Sequence, residues 1–351
     1  MTNPNRFMTT DGYSISRLIV GGWQFSKGHG AHGQIGGEGT ELFGQLVERG
    51  FTTFDCADIY EGVEDLIGRF LREHRKSGNP TAVQIHTKFV PDLDVLPRIN
   101  KAYVERIIDR SLKRLGVEAL DLLQFHWWDF TVPRFLDVAH WLKDLQDRGK
   151  IRNLGVTNFD REHLHAIVSS GVPIVSNQVQ YSVLDRRPGG GLASYCQDRG
   201  IVLLCYGALA GGFLTDLYLD IADPPDRLAN RSLTKYQLII GEVGGWTTYR
   251  SILGALHEVA ERRQTTTACV ALRWVLDQTG VVATITGIDS VDQAVQLSGV
   301  FDLSFDEEDR STIEASLEGV TGPEGPVYGL ERDMDGPHGR IMRYNLNEGG
   351  V

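Results

Sequence analysis

Four residues have types that together suit carbonyl reduction and its reverse: a carboxylate (Asp55), a phenol (Tyr60), an amine (Lys88) and an imidazole (His126). A tyrosine hydroxyl, with an ordinary pKa of about 10, keeps its proton near neutrality. A nearby ammonium favours the phenolate, so Lys88 is expected to lower the Tyr60 pKa and make it an acid–base group. A buried Lys88 would need a carboxylate to pair with it, and Asp55 is placed to provide one. His126 is expected to donate a hydrogen bond to the substrate oxygen and orient it. Taken singly, Asp55 reads as a cap or turn former, Lys88 as an exposed strand end, His126 as an interior histidine and Tyr60 as core. Their placement at and just beyond the ends of three successive apolar runs favours a joint role.

Such residues meet only if the fold gathers them, and the chain is patterned to do so. Seven short apolar runs end in a polar, aromatic or glycine residue: FTTF into Asp55, VQIHT into Lys88, LDLLQF into His126, IRNLGV into Thr157-Asn158, PIVSN into Gln178, IVLLC into Tyr206 and VVATIT into Gly287. With SRLIVGG these make eight strands, separated by helical segments such as TELFGQLVERG, Lys101 to Leu115 and PRFLDVAHWLKDLQDRG, where Pro133 suits a first helical turn. Eight β-then-α units predict a (β/α)8 TIM barrel over about residues 15–319, within one domain spanning 1–351, whose C-terminal rim carries the active site. A doubly wound open sheet is the competing arrangement. It would usually show a GxGxxG turn after its first strand, and the glycines from Gly28 to Gly37 are spaced otherwise. Two segments fall outside the repeat. A long, polar, Pro-containing loop, inserted between Thr215 and Trp246, follows strand seven, where lid or substrate-binding elements sit. A Gly/Pro-rich tail, 320–351, keeps Tyr328, Leu330, Met342 and Tyr344, so part of it should pack while its last few residues fray.

Bulk properties exclude several classes. With 46 acidic against 35 basic residues the net charge is −11, so nucleic acid and anionic membrane would be repelled. No run of 18 apolar residues is present, which excludes a membrane span. The start, MTNPNRFMTTDGYS, lacks the basic and apolar regions of a secretory signal. Cys56, Cys196, Cys205 and Cys269 are scattered without metal-like spacing, as expected of buried reduced thiols in a cytoplasmic protein.

From about Arg17 to Gly299 the chain resembles the aldo-keto reductase superfamily. FDCADIYEGVEDLIG, SLKRLGVEALDLLQFH, GKIRNLGVTNF, NQVQYS and YGALAGGFL are similar to its motifs and occur in the same order. The resemblance implies metal-independent hydride transfer between NAD(P)(H) and a small-molecule carbonyl or alcohol, with Asp55, Tyr60, Lys88 and His126 aligned to the catalytic tetrad. It also implies that Thr157, Asn158 and Gln178 bind the nicotinamide carboxamide and that Tyr206 stacks on the ring. The Gly207–Gly212 stretch, with Leu209 and Gly211, would follow the pyrophosphate, and Gly22 and Gly287 would also face the cofactor. Trp23, Trp127 and Trp128 are expected to line the substrate pocket, although one of the last two reads equally well as core. The loop serine of the family is absent from Tyr206-Gly207-Ala208-Leu209.

The chain departs from the family where the adenosine phosphate should bind. Most relatives place basic residues just after strand eight, whereas this segment reads TGIDSVDQAVQL. Asp289 falls at or beside the usual arginine, Gln293 replaces a later one, and Gln296-Leu297 stand for a Glu-Asn pair. A carboxylate repels a phosphate dianion but accepts hydrogen bonds from ribose hydroxyls. NAD(H) is therefore expected to be tolerated or preferred, unless Asp289 points to solvent and a basic residue of the insertion supplies the phosphate contact. A second functional class is a nucleotide-binding regulatory partner with little turnover, like the potassium-channel β subunits that resemble the same superfamily. Neither substrate, direction nor oligomeric state is written in the sequence.

Overall fold

In the computed structural model of the chain, the described residues are 5–8, 12–27, 37–225 and 228–347. A two-stranded antiparallel hairpin comes first, β1 (Arg6–Met8) and β2 (Ser14–Ser16). Eight parallel strands then close into a barrel: β3 (Leu18–Gly21), β4 (Thr53–Asp55), β5 (Gln84–Phe89), β6 (Leu120–Phe125), β7 (Ile151–Thr157), β8 (Ile174–Gln180), β9 (Val202–Tyr206) and β10 (Val281–Thr286). Each pairs with its sequence neighbour, and β10 returns to β3, so the barrel has no edge strand. These are the eight strands predicted from the apolar runs. The hairpin covers the N-terminal end: Arg6 bonds Thr52 and Gln84, at the start of β4 and β5, and Ser16 N–H donates to Thr53 Oγ1.

Helices α1 (Gly37–Glu48), α2 (Val63–Lys76), α3 (Lys101–Leu115), α4 (Phe135–Asp147), α5 (Arg161–Ser169) and α6 (Leu192–Asp198) follow successive strands. Local chemistry sets their ends. The Asn100 side chain accepts from Tyr103 N–H at the start of α3, and Gly116 at φ +66° ends that helix in the left-handed region. The apolar faces of these helices pack on the outward side chains of the strands, such as Phe89, Phe125 and Val156. Inward side chains alternate with them. Ile19, Leu122, Leu204 and Ala283 fill the interior, and polar residues follow toward the C-terminal rim.

Two sequence expectations need correction. The insertion after the seventh predicted strand is not simply a long loop: it contains α7 (Arg231–Glu242), capped by the Asn230 side chain on Leu233 N–H, and runs into α8 (Gly245–Arg263). Its scattered apolar residues, Tyr236, Ile239 and Ile240, become one buried face, and composition alone did not show that period. Pro133 also precedes the helix rather than opening it, because α4 begins at Phe135 with Arg134 as its cap. Beyond α8 come α9 (Thr267–Leu276), α10 (Val291–Ser298) and α11 (Glu307–Leu317). The tail adds two single turns, α12 (Gly329–Arg332) and α13 (Pro337–Arg340), and packs as far as Asn347. The residues expected to fray, 348–351, and most of the glycine-rich 28–37 stretch lie outside the described residues. All four cysteines are buried free thiols, and no helix among the described residues is long and apolar enough to cross a membrane.

Candidate active site

The four chemistry-bearing residues converge at the C-terminal rim. Asp55 ends β4, Lys88 lies near the end of β5, His126 follows β6, and Tyr60 sits in the turn leading into α2. Lys88 Nζ donates to Asp55 Oδ2 at 2.5 Å and to the Cys56 carbonyl at 2.8 Å, with both side chains at most 6% exposed. Its third N–H takes no part in these two bonds, and the ammonium stands 5.1 Å from the Tyr60 ring centre. Gly22 packs against this corner and donates its N–H to the Asp55 carbonyl at 2.7 Å. A Cβ there would sit 2.6 Å from that oxygen, so the close approach requires glycine.

The electrostatics correct the expectation for Tyr60. Burial pushes the phenol above its ordinary range, and the opposing pull of Lys88 offsets this only in part. Burial would lower Lys88, but Asp55 and Tyr60 together outweigh it and hold the ammonium above its ordinary value. The pair at neutral pH is thus a protonated phenol beside a charged lysine, which suits proton donation.

His126 also differs from its predicted role. Burial and the nearby Arg332 lower its pKa to about 3, so the ring is neutral. Its Nδ1 lies 3.2 Å from the Thr157 carbonyl, which can only accept, so we assign the proton to Nδ1. Nε2, buried and without a partner among the described residues, then presents a lone pair rather than a donor. In this state it can accept from a hydroxyl but cannot donate to a carbonyl oxygen.

The other predicted residues are only partly gathered. Trp23 lies 4.9 Å from the Tyr60 ring and bonds Ser232 at the start of α7, while Trp128 meets the His126 ring edge-on at 4.3 Å. Trp127 is fully buried, packed on Phe125 and bonded to the Asp129 and Val132 carbonyls. Tyr206, ending β9, donates to Asn158 Oδ1 at 2.9 Å, and Asn158 holds a left-handed φ of +63°. Thr157 Oγ1 donates to the Gln178 carbonyl. Gln178 points both N–H groups inward, to Asp55 Oδ1 at 2.7 Å and Gln124 Oε1 at 2.8 Å. Gly207 and Gly211 have positive φ and lie under Tyr236 of α7, and Leu209 follows between them. After β10, Gly287 and Asp289 are exposed, and Gln293 Oε1 accepts from Asp289 N–H at 2.9 Å. Of the insertion's basic residues, Arg231 bonds the Ile341 carbonyl and Lys235 pairs with Glu331, while Arg227 lies outside the described residues.

Several neighbours of the site were missed in the sequence. Tyr328 stands edge-on to His126 at 5.4 Å, and Arg332 Nη2 donates to the Trp127 and Asn158 carbonyls at 3.1 and 2.8 Å. Lys235 lies 5.0 Å from the Tyr206 ring centre and 5.3 Å from that of Tyr328. No local pattern in the tail announces its contacts with His126, Trp127 and Asn158, which lie far away along the chain. Gln124 did carry a signal, as a polar residue two positions before His126 on the inward face of LDLLQF.

The chain is thus a closed parallel barrel with a lysine–carboxylate pair, a phenol and an imidazole on its rim. The aldo/keto reductase family model matches residues 17–318, and the chain belongs to that family. It is 28% identical to the aldo-keto reductase YhdN of Bacillus subtilis (strain 168), over 90% of this chain and 95% of that one. With the NADH-specific methylglyoxal reductase of Escherichia coli (strain K12) it shares 23% identity, over 89% and 97%. The structure of the glycerol dehydrogenase from Gluconobacter oxydans superposes with a TM-score of 0.75 at 26% identity, covering 93% of this chain and 99% of that one. Family membership implies NAD(P)-dependent carbonyl chemistry on small molecules.

Proposed function

We propose that the chain reduces an aldehyde or ketone to its alcohol, and can run the reverse, with Tyr60 as the acid–base group. The observation that carries this is the buried Lys88, paired with the Asp55 carboxylate and standing 5.1 Å from the Tyr60 ring centre. A bound reduced nicotinamide supplies the hydride. Tyr60 gives its proton to the carbonyl oxygen, and Lys88 stabilises the phenolate that remains until solvent returns a proton. Asp55 keeps Lys88 charged while it is shielded from water. Neutral His126 flanks the oxygen, and its Nε2 lone pair suits a hydroxyl on the substrate or product. Trp23 and Trp128 form apolar walls on either side of the phenol and imidazole.

The residues fit a nicotinamide dinucleotide. Tyr206 offers a ring face, Thr157, Asn158 and the Gln178 Oε1 offer polar groups for a carboxamide, and Gly22, Gly207, Leu209, Gly211 and Gly287 are the backbone positions we assign to the rest of the cofactor. Beyond them, Asp289 is exposed, and Gln293 is turned back onto its backbone N–H, so neither offers a cation to a phosphate. We read this as tolerance of, or preference for, NAD(H), in keeping with a relative named as NADH-specific.

The test is a screen of aldehydes, ketones and alcohols in both directions with each cofactor, followed by nicotinamide absorbance, on the wild type and Tyr60→Phe. Turnover that vanishes in the variant supports the reading. A hundredfold preference for the phosphorylated cofactor would end the NAD(H) proposal. Negligible turnover throughout, together with a stable complex with another protein, would favour the nucleotide-binding regulatory partner instead.

A further inference from the structure

The carboxylate of the tetrad belongs to a layer of the barrel interior that is usually apolar. Asp55, Gln124 and Gln178 come from β4, β6 and β8, the alternate strands that fill one layer of such a barrel, where branched aliphatic residues dominate. Here two primary amides take those places, both buried. They close a triangle: Gln124 Nε2 donates to Asp55 Oδ1 at 3.0 Å, Gln178 Nε2 donates to the same oxygen at 2.7 Å, and its other N–H meets Gln124 Oε1 at 2.8 Å. The opposite carboxylate oxygen takes Lys88. Burying an amide costs free energy unless it is bonded, and an aliphatic side chain would fill the space without that cost. The amides therefore serve the carboxylate.

We propose that Gln124 is a positioning residue which, through Asp55 and Lys88, sets the acidity of Tyr60. This rests on the reading of Tyr60 as the proton donor. The positive ends of two N–H dipoles point at Asp55 Oδ1 and offset part of its negative potential at Lys88 and Tyr60. They also turn the carboxylate so that Oδ2 faces the ammonium. Removing the Gln124 dipole alone makes the potential at Tyr60 more negative, which disfavours the phenolate. At an effective dielectric of about 20, such a dipole shifts the phenol by about half a pKa unit, a threefold change in the phenolate fraction. Gln178 keeps its Oε1 on the far side, so a group bound there is linked through one side chain to the Asp55–Lys88–Tyr60 chain.

The experiment reads Tyr60 directly and without turnover. Protein labelled with carbon-13 at the tyrosine ring carbon bearing the hydroxyl is titrated by NMR, and the Tyr60 resonance is identified by its loss in Tyr60→Phe. In Gln124→Met, of similar volume, the resonance should titrate at a pH about half a unit higher. Gln124→Glu, with a second carboxyl against Asp55, should raise it further at the alkaline pH where the phenol ionises, and it serves alone if the Met variant does not fold. An unmoved Tyr60 titration in a folded variant overturns the proposal. A moved titration in a protein that shows no carbonyl turnover keeps it and sinks the enzyme reading instead. Where turnover is found, alcohol oxidation by Gln124→Met should fall about threefold at neutral pH and recover as the pH rises. A purely structural loss would lower the rate equally at every pH.

Discussion

Two buried charge clusters sit within one barrel mouth, and they use their donors differently. In the first, on β4, β5, β6 and β8, a single lysine faces a single carboxylate, and one N–H is left over beside a phenol. In the second, Asp185, Arg187, Lys235 and Glu331 satisfy one another. Arg187 makes a two-pronged contact to Asp185 at 2.9 and 2.7 Å and reaches Glu331 at 3.4 Å, while Lys235 meets Glu331 at 3.3 Å. The first cluster is held by strands, the second by connections: the segment after β8, helix α7 and the tail. A pair with a spare donor next to a titratable group is equipped for chemistry. A closed set of charges ties three connecting segments into one wall.

The sharpest way to break this contrast is Tyr60→Phe. It removes a hydroxyl at the edge of the first cluster and should lower turnover by about 10²–10⁴-fold. The denaturant midpoint should scarcely move, and a large loss of stability would show that the phenol is structural. Glu331→Ala is the converse. It leaves Arg187 and Lys235 buried with too few anions and should cost about 3–5 kcal/mol in urea unfolding. Glu331→Ala combined with Lys235→Met should recover part of that loss.

Glu331 also gives the second cluster a pH signature. Burial would raise its carboxyl, but Lys235 and Arg187 outweigh that and hold it at about 2. Its folded pKa is thus below the unfolded value of about 4.3, so its stabilisation is complete above that pH and is lost as pH falls toward 2. Unfolding followed between those limits should show an acid limb that weakens in Glu331→Gln.

Smaller effects sharpen the first cluster. Asp289→Arg should improve the ratio of NADPH to NADH efficiency by about tenfold, because it supplies the cation that the strand-eight segment lacks. The smallest expected effect is none at all. With His126 at about 3, its ionisation should leave no inflection in kcat/KM between pH 5 and 8. An inflection near 6.5 that disappears in His126→Gln would show that the ring is charged in the working enzyme.

Most of the first cluster was legible in the sequence and almost none of the second. Asp55, Lys88 and His126 each end an apolar run, and a parallel barrel brings all such ends to one rim. Gln124 was visible but read as part of its strand, because the meaning of an inward polar residue depends on what faces it from two strands away. Lys235 and Glu331 are 96 residues apart, so their pairing left no local trace. The insertion and tail were recognised as extra segments, but not that they meet over Tyr206.

The sequence by itself determined the eight strands, their order and the residue types at their ends, since period and composition act over a few neighbours. The three-dimensional fold decided how those residues behave. It raised the Tyr60 phenol by burial despite its ammonium neighbour, and it put the His126 proton on Nδ1 by offering a carbonyl. Acidity and proton placement depend on solvent exclusion and on partners from other strands, and chain order encodes neither.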